Sequence, residues 1–115
     1  MPNQTVSIDR IFRALADPTR MAVLTRLGNG PAAVGELAQP FDMALPSFLQ
    51  HLKVLQDCGL VDSYKIGRVR TFQLKPEPLA AAEHWLEKRR QYWERRLDRL
   101  DNYLRELKEN QNGPD

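Results

Sequence analysis

Long apolar runs are what this sequence most plainly lacks. None of its 115 residues belongs to a stretch approaching the roughly 18 apolar residues that a transmembrane helix needs. The opening MPNQTVSIDR has no apolar signal core, so no membrane partner and a cytoplasmic location are expected. Cysteine is almost missing too. Cys58 stands alone and cannot form an intrachain disulfide, which suits a reducing compartment. Charge of one sign is equally scarce: 17 Lys and Arg against 15 Asp and Glu leave a net +2, too little for bulk charge to announce a nucleic-acid binder. No nucleophile–base constellation, phosphate-cradling glycine loop or pair of pocket carboxylates can be assembled, so the chain is not expected to be an enzyme. No internal repeat or low-complexity block is visible.

What is there reads as an ordinary globular chain, 42% hydrophobic and 28% charged. One domain is expected over residues 1–109, followed by a flexible polar tail at 110–115. Ser7 can cap a first helix with Ile8, Ile11, Phe12 and Leu15 as its apolar stripe. Asp17-Pro18 is a restart signal, a capping side chain followed by proline at the first helical position. The second helix should carry Met21, Leu24 and Leu27 inward and stop at GNGP, residues 28–31. A short third helix fits Ala33 to Ala38, and the turn QPFDMA separates it from LPSFLQHLKVL, residues 45–55.

That last segment carries two messages. Phe48, Leu52 and Leu55 recur at helical spacing and predict a buried face. Pro46, Ser47, Gln50 and Lys53 occupy the other face, an odd set for a surface that only has to be wet. Two short helices joined by a tight turn, the second with a polar outer face, form the helix-turn-helix pattern. In that geometry the start of the second helix meets base edges. Gln50 can present a donor and an acceptor to one edge, Ser47 either one, and Pro46 an apolar surface for a thymine methyl; Lys53 is placed for a phosphate. His51 lies at the edge of the apolar stripe and is expected to be satisfied by a backbone group.

After Gly59 the period changes. LVDSYKI (60–66) and VRTFQL (69–74) are rich in β-branched and aromatic residues, and Gly67-Arg68 between them makes a tight hairpin. Lys65, Arg68 and Arg70 sit near its tip, with no acid between Asp62 and Glu77. The charge that the net figure hid is here. From Glu77 to about Glu109 the chain reads as one long helix, with Leu79, Leu86, Trp93, Leu100 and Leu107 every seventh residue and Leu97 and Leu104 interleaved. Some 30 residues would span about 45 Å, against a body about 30 Å across, so a second copy should cover the overhanging stripe. The expected dimer contacts are Ile8, Ile11 and Phe12 of the first helix with Leu86, Trp93, Leu97, Leu100, Leu104 and Leu107 of the last. The basic cluster Lys88, Arg89, Arg90, Arg95, Arg96 and Arg99 interleaves with Glu87, Glu94 and Asp98, which reads as a solvated, ion-paired face.

The predicted fold class is mainly α with a small β-hairpin: a winged helix-turn-helix with a long C-terminal dimerisation helix. The segments ALADPTR (14–20), GELA (35–38), HLKVLQDCGLV (51–61) and GRVRTFQL (67–74) resemble, in order and spacing, the hallmark segments of the ArsR-type family of bacterial repressors. The resemblance covers roughly residues 8–108. It implies a homodimer on operator DNA, with residues 45–57 as the reading helix and Arg68 and Arg70 on the wing. Leu49 and Ala44 depart from the family, which usually has a small polar residue at the first position and often a serine cap at the second.

Many members of that family sense metals, and here the ligand positions are filled by other residues. The thiolate motif falls on Ala38 and Pro40. The closing-helix zinc motif finds His84 and Glu87 for its second half but Thr71 and Gln73 for its first. No metal and no other cofactor are therefore expected, Cys58 reads as a small buried hydrophobe, and no signature of a small-molecule effector is present. The function expected is a homodimeric repressor on an inverted-repeat operator in double-stranded DNA. The alternative is a winged helix that docks another protein without specific DNA binding, against which the acid-free basic hairpin speaks.

Overall fold

Residues 7–111 are described by a computed structural model, in the order α1 (Ile8–Leu15), α2 (Pro18–Leu27), β1 (Ala32–Ala33), α3 (Val34–Ala38), α4 (Leu45–Asp57), β2 (Val61–Ile66), β3 (Val69–Leu74) and α5 (Glu77–Gln111). The restart at Asp17 is physical: its carboxylate accepts the Arg20 backbone N–H at 3.0 Å, and Pro18 sits at the helix start, where no amide hydrogen is needed. Ser7 precedes α1 without capping it through its side chain. Its hydroxyl is turned to Asp9, whose carboxyl is held below its usual range chiefly by that bond.

The core gathers Ile11 and Ala14 from α1, Val23, Leu24 and Leu27 from α2, Leu37 from α3, and Phe48, Leu52 and Leu55 from α4. Ala32, Cys58, Leu60, Val61, Phe72 and Ala82 complete it. Phe48, Leu52 and Leu55 are 0%, 2% and 0% exposed; burial of such side chains contributes roughly 1.5–3 kcal/mol each. Met21 was expected inward and is instead 56% exposed. The buried stripe of α2 is centred between Val23 and Leu27, and Met21 lies more than a quarter turn away from it. Ile11, expected at a dimer contact, is 1% exposed and belongs to the core of its own chain, whereas Ile8 and Phe12 are only partly buried.

The expected hairpin is present and is part of a three-stranded antiparallel sheet of order β1-β3-β2. Ala32 pairs with Phe72 and Ala33 with Thr71, so the two residues before α3 are stitched to the second hairpin strand. The third helix consequently starts at Val34, with Glu36 accepting the Ala33 N–H at 3.0 Å. Gly67 takes φ +64° at the first turn position, a conformation that costs glycine little and lets β2 and β3 reverse in two residues. Gly59, at φ +75°, ends α4: the Leu60 N–H returns to the Leu55 carbonyl at 3.0 Å, and the Gly59 N–H to the Gln56 carbonyl at 3.0 Å.

Contacts divide the chain into two units with the boundary between Ala82 and Glu83. The second unit is the remainder of α5. Its helix continues through Asn110 and Gln111, two residues into the expected tail; residues 112–115 lie outside the described part. Among the described residues no helix is long and apolar enough to cross a membrane.

Candidate nucleic-acid interface

The turn between α3 and α4 is held by its own side chains. Phe41 stacks on Phe48 of α4 with ring centroids 5.4 Å apart, and Met43 is partly buried against the core. Ala44 stands at the start of α4 with no side-chain cap, and its carbonyl accepts the Phe48 N–H at 3.1 Å. With one face of α4 fixed by the core, the outer face is determined. Pro46, Ser47, Leu49, Gln50 and Lys53 are all exposed. The α4 residues predicted for DNA contact therefore share one accessible surface. Lys53 is not idle there: its ammonium meets Asp57 at 3.2 Å, in an exposed pair of the kind worth little in water.

His51 differs from expectation. Its Nδ1 lies 3.0 Å from Nη1 of Arg20 and 3.7 Å from Asp17, so side chains of α2 satisfy it, not a backbone group. Because guanidinium only donates, Nδ1 must accept here, which requires the ring to be unprotonated at that nitrogen. Arg20 also donates through Nε to the Ala14 carbonyl at 2.7 Å and through Nη2 to the Arg13 carbonyl at 3.3 Å. One guanidinium thus ties the end of α1 and the start of α2 to the middle of α4. The Arg20 backbone N–H, first, and then the charge of the Arg20 guanidinium hold the Asp17 carboxyl below its ordinary range. This joint was missed in the sequence, although Asp17, Arg20 and His51 all lie in segments quoted for the family resemblance.

In the hairpin, Lys65 sits directly across from Arg70, and Ile66 across from Val69. Like charges facing each other across strands are destabilising. The Arg70 guanidinium bonds the Ser63 hydroxyl at 3.0 Å, while neither Lys65 nor Arg68 takes part in an ion pair among the described residues. Ile66 and Val69 are 63% and 50% exposed, an apolar pair at the tip beside Arg68 that the sequence reading passed over. Cys58 is buried and its thiol points at the Arg10 carbonyl, 3.7 Å away. Among the described residues no group of three or more His, Cys, Asp or Glu is placed to hold a metal ion.

The helix-turn-helix domain family matches residues 15–64, from the end of α1 into the first hairpin strand. The HTH-type transcriptional regulator Rv2034 of Mycobacterium tuberculosis is 45% identical over 91 residues, covering 79% of this chain and 82% of that protein. The solved structure of an ArsR family transcriptional regulator superposes with a TM-score of 0.72 at 55% identity, over 76% of this chain and 90% of its own. The chain belongs to the ArsR family.

A more distant member of the comparison, the transcriptional repressor SdpR of Bacillus subtilis, is 27% identical over 79 residues, 69% of this chain and 88% of that one. As an ArsR-family protein the chain is a helix-turn-helix transcriptional regulator and not an enzyme. Its fold is the winged helix, with α3 and α4 as the helix-turn-helix and β2–β3 as the wing.

On α5 three cations of the basic cluster, Arg89, Arg90 and Arg96, are engaged within the helix. Arg90 bridges Glu87 at 2.7 Å and Glu94 at 2.9 Å. Arg89 stacks over Trp85 at 5.1 Å and Arg96 over Tyr92 at 5.6 Å. These contacts fit a solvated face better than a nucleic-acid patch. Leu86, Trp93, Leu97, Leu100, Leu104 and Leu107 are between 40% and 61% exposed in the single chain.

Proposed function

We propose that this ArsR-family protein is a cytoplasmic homodimeric repressor that binds an inverted-repeat operator in double-stranded DNA. The reading is carried by the accessible face of α4, where Pro46, Ser47, Gln50 and Lys53 stand together while the opposite face is locked into the core. In this reading Ser47 and Gln50 address base edges in the major groove and Lys53 exchanges Asp57 for a phosphate. Lys65, Arg68 and Arg70 of the wing grip the backbone alongside. Their mutual repulsion in the free hairpin is relieved when phosphates replace water between them.

The dimer supplies the second reading helix. Ile8 and Phe12 of α1 and the exposed apolar side chains of α5 are its proposed contacts; Ile11 is left out because its own core covers it. Half-site centres should lie about one helical turn apart. Footprinting on the DNA upstream of the protein's own gene tests the reading: two protected half-sites at saturation are expected. Protection of one unpaired half-site by a monomer would overturn it, as would absence of any protected sequence.

A further inference from the structure

A groove of about 680 Å³ opens between α2 and α3. Sites for small organic molecules run from about 300 to 1,000 Å³, so it is large enough to hold one. Val23, Leu37 and Phe41 give it apolar lining, the first two being buried residues of the core. Arg26 of α2 and Glu36 of α3 bring charge to the same lining, and Gly35 forms part of its wall. The lining comes from two separate segments, so no single motif announced it.

Gly35 is a residue that the fold does not ask for. Its φ is not positive, and a methyl group placed on it would meet no atom within 4 Å beyond its immediate neighbours. Glycine is a poor helix residue, so neither backbone conformation nor close packing accounts for it here. What the missing side chain does is leave the groove open.

The charged pair is also incompletely used. Nη2 of Arg26 and Oε2 of Glu36 stand 3.9 Å apart, an ion pair too long for a hydrogen bond. Arg26 donates through Nη1 to the Gly30 carbonyl at 3.3 Å, and Oε1 of Glu36 accepts the Ala33 N–H at 3.0 Å. Among the described residues Nη2 and Oε2 themselves have no hydrogen-bond partner.

We propose that this groove binds a small uncharged phenol, its apolar body against Val23, Leu37 and Phe41 and its hydroxyl between Arg26 and Glu36. A guanidinium only donates and an ionised carboxylate only accepts, whereas a hydroxyl does both. The phenolic oxygen accepts from Nη2 while its O–H donates to Oε2. Charge selects a neutral ligand: an anionic head meets the Glu36 carboxylate, and a cationic one meets the Arg26 guanidinium. An aromatic body suits the ring of Phe41. That ring also stacks on Phe48, 5.4 Å between centroids, so an occupant bears on the turn that sets the start of α4.

Calorimetric titration of the full chain with 4-phenylphenol tests the site. Saturable binding of one molecule per chain is expected. Gly35→Leu fills the groove from its wall and should weaken binding about tenfold, and Gly35→Ala about threefold. The urea midpoint of Gly35→Ala should not fall below that of the parent, because its added carbon meets nothing. That smaller variant decides the matter even if the larger side chain disturbs the fold. 4-Methoxybiphenyl keeps the rings and the oxygen but has no proton to give Glu36, so it should bind about fivefold more weakly. Absence of saturable binding, unchanged affinity in both Gly35 variants, or equal binding of the ether would each overturn the proposal. Tighter binding of biphenyl-4-carboxylate than of the phenol would overturn the choice of a neutral ligand.

Discussion

Replacing Arg20 should loosen the reading helix from the rest of the DNA-binding unit. The side chain makes two short bonds from a charged donor, 2.7 Å to the Ala14 carbonyl and 3.0 Å to His51, both part-buried. Taken below the usual range for charged donors because water reaches the site, each contributes about 1–1.5 kcal/mol. The third bond, 3.3 Å to the Arg13 carbonyl, is exposed and adds little. Arg20→Ala should therefore cost about 2–3 kcal/mol. Arg20→Lys should recover less than half, since an ammonium cannot span the fork from α1 to His51. Urea unfolding followed by circular dichroism reads the loss as a lower midpoint at unchanged slope. A double-mutant cycle with His51→Ala isolates the inter-helix bond, with a coupling of about 1 kcal/mol expected. A loss below about 0.5 kcal/mol for Arg20→Ala, the scatter of ordinary surface changes, would refute the view that this guanidinium joins three helices.

Other outcomes follow from the same residues. Gln50→Ala should cost about 1–3 kcal/mol on the operator and little on random DNA, because a base-edge contact carries sequence information; paired binding isotherms decide it. Arg68→Ala should weaken operator and random DNA alike and lower the salt slope by about one unit; altered sequence preference at an unchanged slope would make the wing a base reader. Added zinc, or a chelator, should leave operator affinity within about twofold, since Ala38, Pro40, Thr71 and Gln73 offer no metal donor set; a tenfold loss in titrations with metal would reveal a missed site. Asp17→Ala should cost about 1 kcal/mol at neutral pH through the lost cap. The Asp17 pKa is lowered in the folded state, so its contribution is present above the unfolded value of about 3.9 and is lost as pH falls through the folded one. Acid unfolding of the Asp17→Ala variant should accordingly show a smaller stability loss below that point than the parent.

Where the sequence was legible, one strong local force acted. Asp17-Pro18 had to start a helix because cap and proline agree, and Gly67 had to turn the hairpin because its φ is +64°. Phe48, Leu52 and Leu55 were legible as core because helical spacing and size coincide. The misses share a cause as well. Ala32–Ala33 has no β-branched side chain and is too short to alternate, so only its pairing with Phe72 and Thr71 reveals a strand. Met21 sits three residues before Leu24 and matched a stripe that drifts out of the core over two turns. The partner of His51 lies 31 residues away, beyond any local pattern. The outer face of α4 could be read as a surface; what it touches is written in the partner proposed for it, not in the chain.

The division of α4 into two faces has an evolutionary consequence. Its buried letters, Phe48, Leu52 and Leu55, alternate along the helix with outward letters at Pro46, Ser47, Leu49 and Gln50. Substitutions at the outward set touch no packed neighbour in the core, so they fall in the class that shifts stability by about half a kilocalorie or less. If these residues read the operator as proposed, a duplicated copy of the gene can change its address on the genome one outward residue at a time while remaining folded throughout. Leu49, an exposed leucine on that outward face, marks a position where such a step could be taken. Randomising those four positions and selecting on new operators would replay the divergence in the laboratory.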